Sequence, residues 1–331
     1  MADPIRASAG HRAGPLHLLS NGALAHGLIQ HHLQRVVKGH HKVLDRRDPE
    51  PLHQMRVAMR RLRTTLQQFA PVLALPKAAS DQRLAKSVRR LGLARDLDVL
   101  QGRLLNTFLP QLPQEEVTAL GPVLRTLQRE RDLAQEHLEK VLHSSAHLAM
   151  VAALQQWLKK PRFTALADEP ARDWLLEWQL PFLQELMLHP GWLVAKPGVD
   201  VDTLHDLRKQ LKTARYRLEN LAPHSGGALL PWIDHLRQGQ DLLGELNDLQ
   251  VLRKAIDDQL AAGLVNTLPQ LHALLLFTDA RCWDLWREQA DALWLPRGRR
   301  RWSLLLMRSC SPAGPGYWVK DLLMRAAGIF A

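Results

Sequence analysis

The residues of this chain best suited to chemistry are cations held at a fixed helical spacing. His53, Arg56, Arg60 and Arg63 stand at i, i+3, i+7 and i+10. At about 100° per residue, with His53 at zero, Arg56 falls at roughly 300°, Arg60 at roughly 340° and Arg63 at roughly 280°. The apolar residues Leu52, Met55, Met59, Leu62 and Leu66 fill the adjoining arc, from roughly 180° to 260°. The cationic stripe therefore runs beside the core seam, not opposite it. A second segment repeats the pattern, with His205, Arg208, Lys212 and Arg215 next to Leu204, Leu207, Leu211 and Leu218. Most charge runs on helices are plain solvated faces, but those usually mix signs. Residues 52–66 contain no acid, and like charges at these spacings cost a few tenths of a kcal/mol per pair. An anion that relieves the cost explains why it is incurred twice. Such a stripe rises about 15 Å along one face, and each arginine can bridge two oxygens of a phosphate chain. The histidine heading each stripe either adds charge as pH falls or makes an ordinary hydrogen bond.

Other constellations are weaker. Arg83, Lys86, Arg89 and Arg90 form a second basic patch, expected to be an auxiliary contact, because the matching stretch later in the chain keeps only His235 and Arg237. Asp96 and Asp248 recur at matching positions. They are read as helix N-caps or as partners that hold an arginine, in preference to general bases or metal ligands. The sixteen histidines include His31-His32 and His40-His41, but no Cys or carboxylate stands beside them at ligand spacing, so no metal site is expected. Trp174/Trp178 and Trp283/Trp286, with Trp294, are read as packing residues and not as base-stacking platforms. A phosphate-binding glycine loop, a G-x-S-x-G elbow and an H-E-x-x-H pair are all absent from the sequence, so neither catalysis nor a cofactor is expected.

Helices must position these side chains. Leucine and alanine dominate an apolar fraction of 46%, which favours helices over strands, and no stretch alternates long enough for a sheet. The periodicity predicts an all-α chain with helices near 17–45, 50–70, 79–92, 96–109, 114–142 and 146–159. A second series follows near 170–188, 201–222, 228–244, 248–262 and 267–294. The two series are one unit used twice. At an offset of 152 residues Leu52-His53 returns as Leu204-His205 and Arg63 as Arg215. Ala70-Pro71 returns as Ala222-Pro223, Gly92 as Gly244, and Asp96-Leu97 as Asp248-Leu249. Two such bundles are expected to pack about a pseudo-two-fold axis, with a basic groove or channel between them. Residues 1–17 read as a flexible leader, 18–295 as the helical domain (halves near 18–160 and 170–295), and 296–331 as a basic, then Gly/Pro-rich tail. The net charge of +11 over 331 residues points to an anionic partner. Cys282 and Cys310 make no motif, and no apolar run is long enough to span a bilayer, so a cytoplasmic protein without membrane contact is expected.

The string HQMRVAMRRLR from His53 to Arg63, with HDLRKQLKTARY from His205 to Tyr216, closely resembles the CHAD family (conserved histidine α-helical domain). LGLARDLDVL (Leu91–Leu100) and LGELNDLQVL (Leu243–Leu252) are similar to that family's second motif. The resemblance implies two helical bundles around a basic cavity, non-catalytic binding of inorganic polyphosphate, and possible association with polyphosphate granules. Carried over by position, the ligand residues are His53, Arg56, Arg60, Arg63, His205, Arg208, Lys212 and Arg215. The halves are not electrostatically equal: Thr213 stands opposite Arg61, and Asn247 opposite Arg95. The same arginines would serve a nucleic-acid-binding protein, the alternative reading. A polyphosphate- or triphosphate-processing enzyme would need clustered carboxylates for a metal, which the stripe lacks.

Overall fold

The computed structural model describes residues 19–43, 50–224 and 227–309. The expected leader, 1–17, and the last part of the expected tail, 310–331, lie outside these. The leucine- and alanine-rich periodicity is realised as helices throughout. They run α1 (Asn21–Val43), α2 (Glu50–Gln68), α3 (Asp81–Arg90), α4 (Gly92–Arg103), α5 (Gln114–Ala119), α6 (Gly121–Leu142) and α7 (Ser145–Lys159). The series continues as α8 (Ala171–Met187), α9 (Val201–Leu221), α10 (Leu230–Asp257), α11 (Gly263–Thr267), α12 (Pro269–Trp294) and α13 (Pro296–Ser309). No strand forms among the described residues; only two isolated bridges occur, Ser20 with Pro170 and Leu73 with Phe163. Proline opens α6, α10 and α12, where its missing N–H has no intrahelical partner to lose. The Ser144 hydroxyl caps α7 by accepting from the His147 N–H.

Helix packing recurs in step with the sequence. In the first half α1 lies on α2 and α7, while α6 lies on α4 and α7. In the second half α8 lies on α9 and α13, and α12 lies on α10 and α13. At the 152-residue offset α13 falls on α7, so residues 296–309 continue the helical unit instead of leaving it as a tail. Trp302 of α13 is buried, as is Met150 at the matching place on α7. The two helices expected at 228–244 and 248–262 are one continuous α10, whereas their first-half counterparts α3 and α4 part at Leu91.

Close approach of backbones sets the motif helices in place. A Cβ on Gly39 would stand 3.0 Å from Met55 Cβ, and one on Gly191 would stand 2.8 Å from Leu207 Cβ. These two glycines, and Met55 and Leu207, are again counterparts at the same offset. Each glycine lets its segment press onto the apolar seam of α2 or α9, which turns the adjoining cationic face to a fixed direction. Between the halves α2 meets α9 through a buried polar cluster. Asn220 Nδ2 donates to Gln68 Oε1 at 2.7 Å and to Thr65 Oγ1 at 3.0 Å, and Asn220 Oδ1 meets His32 Nε2 at 3.2 Å. Gln68 and Asn220 are counterparts, and a residue that meets its own counterpart is what an approximate two-fold axis between α2 and α9 produces.

Candidate anion-binding site

The stripe on α2 is less bare than its sequence implies. Arg56 is buried to 5% exposure. It donates to the Gly92 carbonyl and, at 3.2 Å from both terminal nitrogens, to Asp96 Oδ1. Arg63 makes a two-pronged pair with Asp81, at 2.7 and 3.0 Å. Asp96 is thus the arginine holder the sequence suggested, although it sits inside α4 and caps nothing. Arg60 is half-buried between these two, and no acid pairs with it among the described residues. Burial, then Arg95, hold the His53 imidazole below its ordinary pKa, with Glu50 opposing and Arg56 and Arg60 adding to the fall.

The α9 stripe is wired differently. Arg215 donates to Gln240 Oε1 at 3.0 Å and pairs with Glu219 at 2.8 Å. Glu219 also takes Arg61 of α2 at 2.7 Å, and both guanidiniums stack on Tyr216. One carboxylate therefore ties the two motif helices together. Arg208 packs against Gly244, where a Cβ would stand 3.1 Å from its Nε and Nη2. Its Nε is buried with no hydrogen-bond partner, and no acid pairs with it among the described residues. Asn247 stands here in place of Arg95 of the first copy. Its Nδ2 engages Asp248 at 3.2 Å, while its Oδ1 accepts from His205 Nδ1 at 2.9 Å. Asp248 pairs with no arginine among the described residues, unlike Asp96. His205 is lowered by burial first, then by Lys209 and Arg208. Neither stripe histidine gains charge readily.

Lys212 is where the two stripes meet. Burial, then the guanidiniums of Arg60, Arg208, Arg215 and Arg56, push its ammonium from the ordinary 10.5 to about 6. Two of those arginines belong to α2 and two to α9, so with Lys212 five of the eight expected residues come to one place. Asp241 of α10 faces the same cluster. Burial raises its carboxyl against the pull of Arg215, Arg237, Arg208 and Lys212. Motif reading missed Asp241, because it lies outside the stripe and its counterpart is Arg89.

The profile of the CHAD domain matches residues 27–257, well over half of the chain. The chain belongs to the CHAD family. Two solved structures share the CHAD fold with it. The CHAD domain from the plant Ricinus communis is 22% identical, with a TM-score of 0.56 over 87% of this chain and 92% of that one. PptA from Streptomyces chartreusis is 18% identical, with a TM-score of 0.58 over 82% of this chain and 99% of that one. No curated protein matches in sequence.

Arg83, Lys86, Arg89 and Arg90 are all exposed on α3. Trp283 and Trp286 are buried core residues, with Trp286 stacked on Trp192 at 5.6 Å between centroids. Trp294 donates to the Met187 carbonyl at 3.0 Å. The Trp178 and His41 side chains lie outside the described ones. Among the described residues no group of three His, Cys, Asp or Glu side chains could hold a metal ion. Nor, among them, is any helix long and apolar enough to cross a membrane.

Proposed function

We propose that this CHAD protein binds inorganic polyphosphate without turning it over, at the meeting of α2 and α9. The observation that carries the reading is Lys212. Burial first, then four surrounding guanidiniums, depress its pKa, and Arg60 and Arg208 beside it pair with no carboxylate among the described residues. A buried unpartnered donor costs about 1–3 kcal/mol, and phosphate oxygens laid along the stripe would satisfy Arg208 Nε and favour the charged ammonium of Lys212 together. Arg56, Arg63 and Arg215 would act from held positions, their carboxylate partners fixing the fork geometry that a phosphate meets. Cations half-buried between two helices suit a slender polyanion better than a duplex about 20 Å wide. Asp96, Asp81 and Glu219 are each taken by an arginine of the stripe, and no metal-holding group forms among the described residues, which favours binding over metal-assisted hydrolysis.

The test is a salt-series competition of labelled long-chain polyphosphate against single- and double-stranded DNA. Polyphosphate is expected to win by at least about a hundredfold at physiological salt, with metal-independent binding and an unchanged polymer afterwards. Equal competition by DNA, fading together with salt, would mark a generic basic surface. Shortening of the polymer would replace binding with catalysis.

A further inference from the structure

The two halves differ most along α3. An offset of 152 residues carries Arg83, Lys86, Arg89 and Arg90 onto His235, Gln238, Asp241 and Leu242 of α10. Four cations in the first half thus face an imidazole, an amide, a carboxylate and a leucine in the second. No acid pairs with the four among the described residues, and Asp81, the acid on their own helix, is taken by Arg63 and Gln67.

Their placement makes a path. Arg63 pairs with Asp81 at the start of α3, while Arg56 reaches the Gly92 carbonyl just past its end, so α3 runs antiparallel beside the α2 stripe. Leu84, Val88 and Leu91 mark the core side of α3. Turning from there toward α2 at about 100° per residue, Asp81 and Ala85 come first, then Arg89, Lys86, Arg90 and Arg83 in order round the outside. Ser87 completes the turn against Met150 of α7. The register of Arg89 is the one that faces the stripe, since its counterpart Asp241 lies in the field of Arg208, Lys212 and Arg215. From Arg83 to Arg90 the row covers about 10 Å.

We infer that α3 is an exit track: a polyphosphate chain too long for the central site leaves it over Arg89, Lys86, Arg90 and Arg83, on the first half alone. The inference rests on the polyphosphate reading above and adds direction and chain-length preference to it. The equivalent route over α10 is closed by the Asp241 carboxylate, which repels a phosphate chain at the point where Arg89 would receive it.

The experiment measures Kd for tripolyphosphate and for long-chain polyphosphate on three proteins. These are the wild type, Arg83→Gln/Lys86→Gln/Arg90→Gln on α3, and Arg297→Gln/Arg300→Gln/Arg301→Gln on α13, which removes the same charge elsewhere. The α3 triple is expected to lose about tenfold for the long chain and less than about twofold for tripolyphosphate, with the α13 triple near wild type for both. Equal losses for both ligands, equal losses in both triples, or no loss at all would overturn the track. A wild type that bound neither ligand would bring down the central site as well, which separates the two failures.

Discussion

Lys212 is the residue at which stability and function oppose each other. Its folded pKa of about 6 lies below the ordinary 10.5. Between those values the unfolded chain binds the extra proton, so this group destabilises the folded protein below pH 10.5, most fully below about 6. Lys212→Met is therefore expected to raise Tm by a few degrees while weakening polyphosphate binding about tenfold or more. Calorimetric melts and titrations on the same samples would check both halves; a variant that loses stability and binding together would point to misfolding. Anion binding works in the opposite direction, since phosphate beside the amine favours its charged form. Near pH 8 binding should take up close to one proton per site, and affinity should fall as pH rises above about 6. Titration in buffers of different ionisation enthalpy reads that proton directly, and no difference between buffers would contradict it. The groups that face Lys212 are Arg56 and Arg60 on α2, His205, Arg208 and Arg215 on α9, and Asp241 on α10.

Glycines at the element scale separate packing from ligand binding. Gly191 and Gly244 both lie on second-half segments, but a side chain at each would meet different atoms. At Gly191 the neighbour is Leu207 Cβ at 2.8 Å, close to the α9 backbone and unable to yield. Gly191→Ala is expected to destabilise by about 1–3 kcal/mol. At Gly244, inside α10, the neighbour is the end of the Arg208 side chain, which can move. There alanine gains up to about 1 kcal/mol of helix propensity and displaces the guanidinium. Gly244→Ala should keep or raise Tm and weaken polyphosphate binding several-fold, whereas Gly92→Ala, with 3.6 Å to Arg56 Nη2, should be milder. Denaturation and binding curves on the three variants would show it; a Gly244 variant with full affinity would mean that Arg208 does not touch the ligand. The repeat made Gly92 and Gly244 visible in the sequence, but nothing there gave them a role. The Gly39–Gly191 pair went unread because Gly191 lies in a short 3-10 turn without the helical pattern.

At the scale of the whole molecule the halves are joined by a polar seam that is sensitive to acid. Burial is the main force holding His32 at about 3 and His147 at about 4, both below the ordinary 6.5. The unfolded chain takes up those protons first, so stability contributed by the neutral imidazoles is present above about pH 6.5. It is lost as pH falls toward 4, at up to about 1.4 kcal/mol per pH unit for each histidine. A Tm that stayed level from pH 7 to pH 4 would exclude that account. Because His32 lies in the Asn220 cluster between α1, α2 and α9, acid should loosen the halves from each other at the seam. The sequence alone determined the all-helical class, the 152-residue offset, the paired cationic stripes and the family, because periodicity and spacing are properties of neighbours along the chain. It could not determine which cations are neutralised. Asp81, Asp96 and Glu219 reach Arg63, Arg56, Arg61 and Arg215, mostly from other helices, while Arg60, Arg208 and Lys212 pair with no acid among the described residues. Nor could it join 296–309 to the second bundle as α13, since its basic N-terminal turn resembles a tail until Trp302 is seen in the core. Ion pairing depends on distances between remote residues and desolvation depends on burial, and tertiary packing alone sets both.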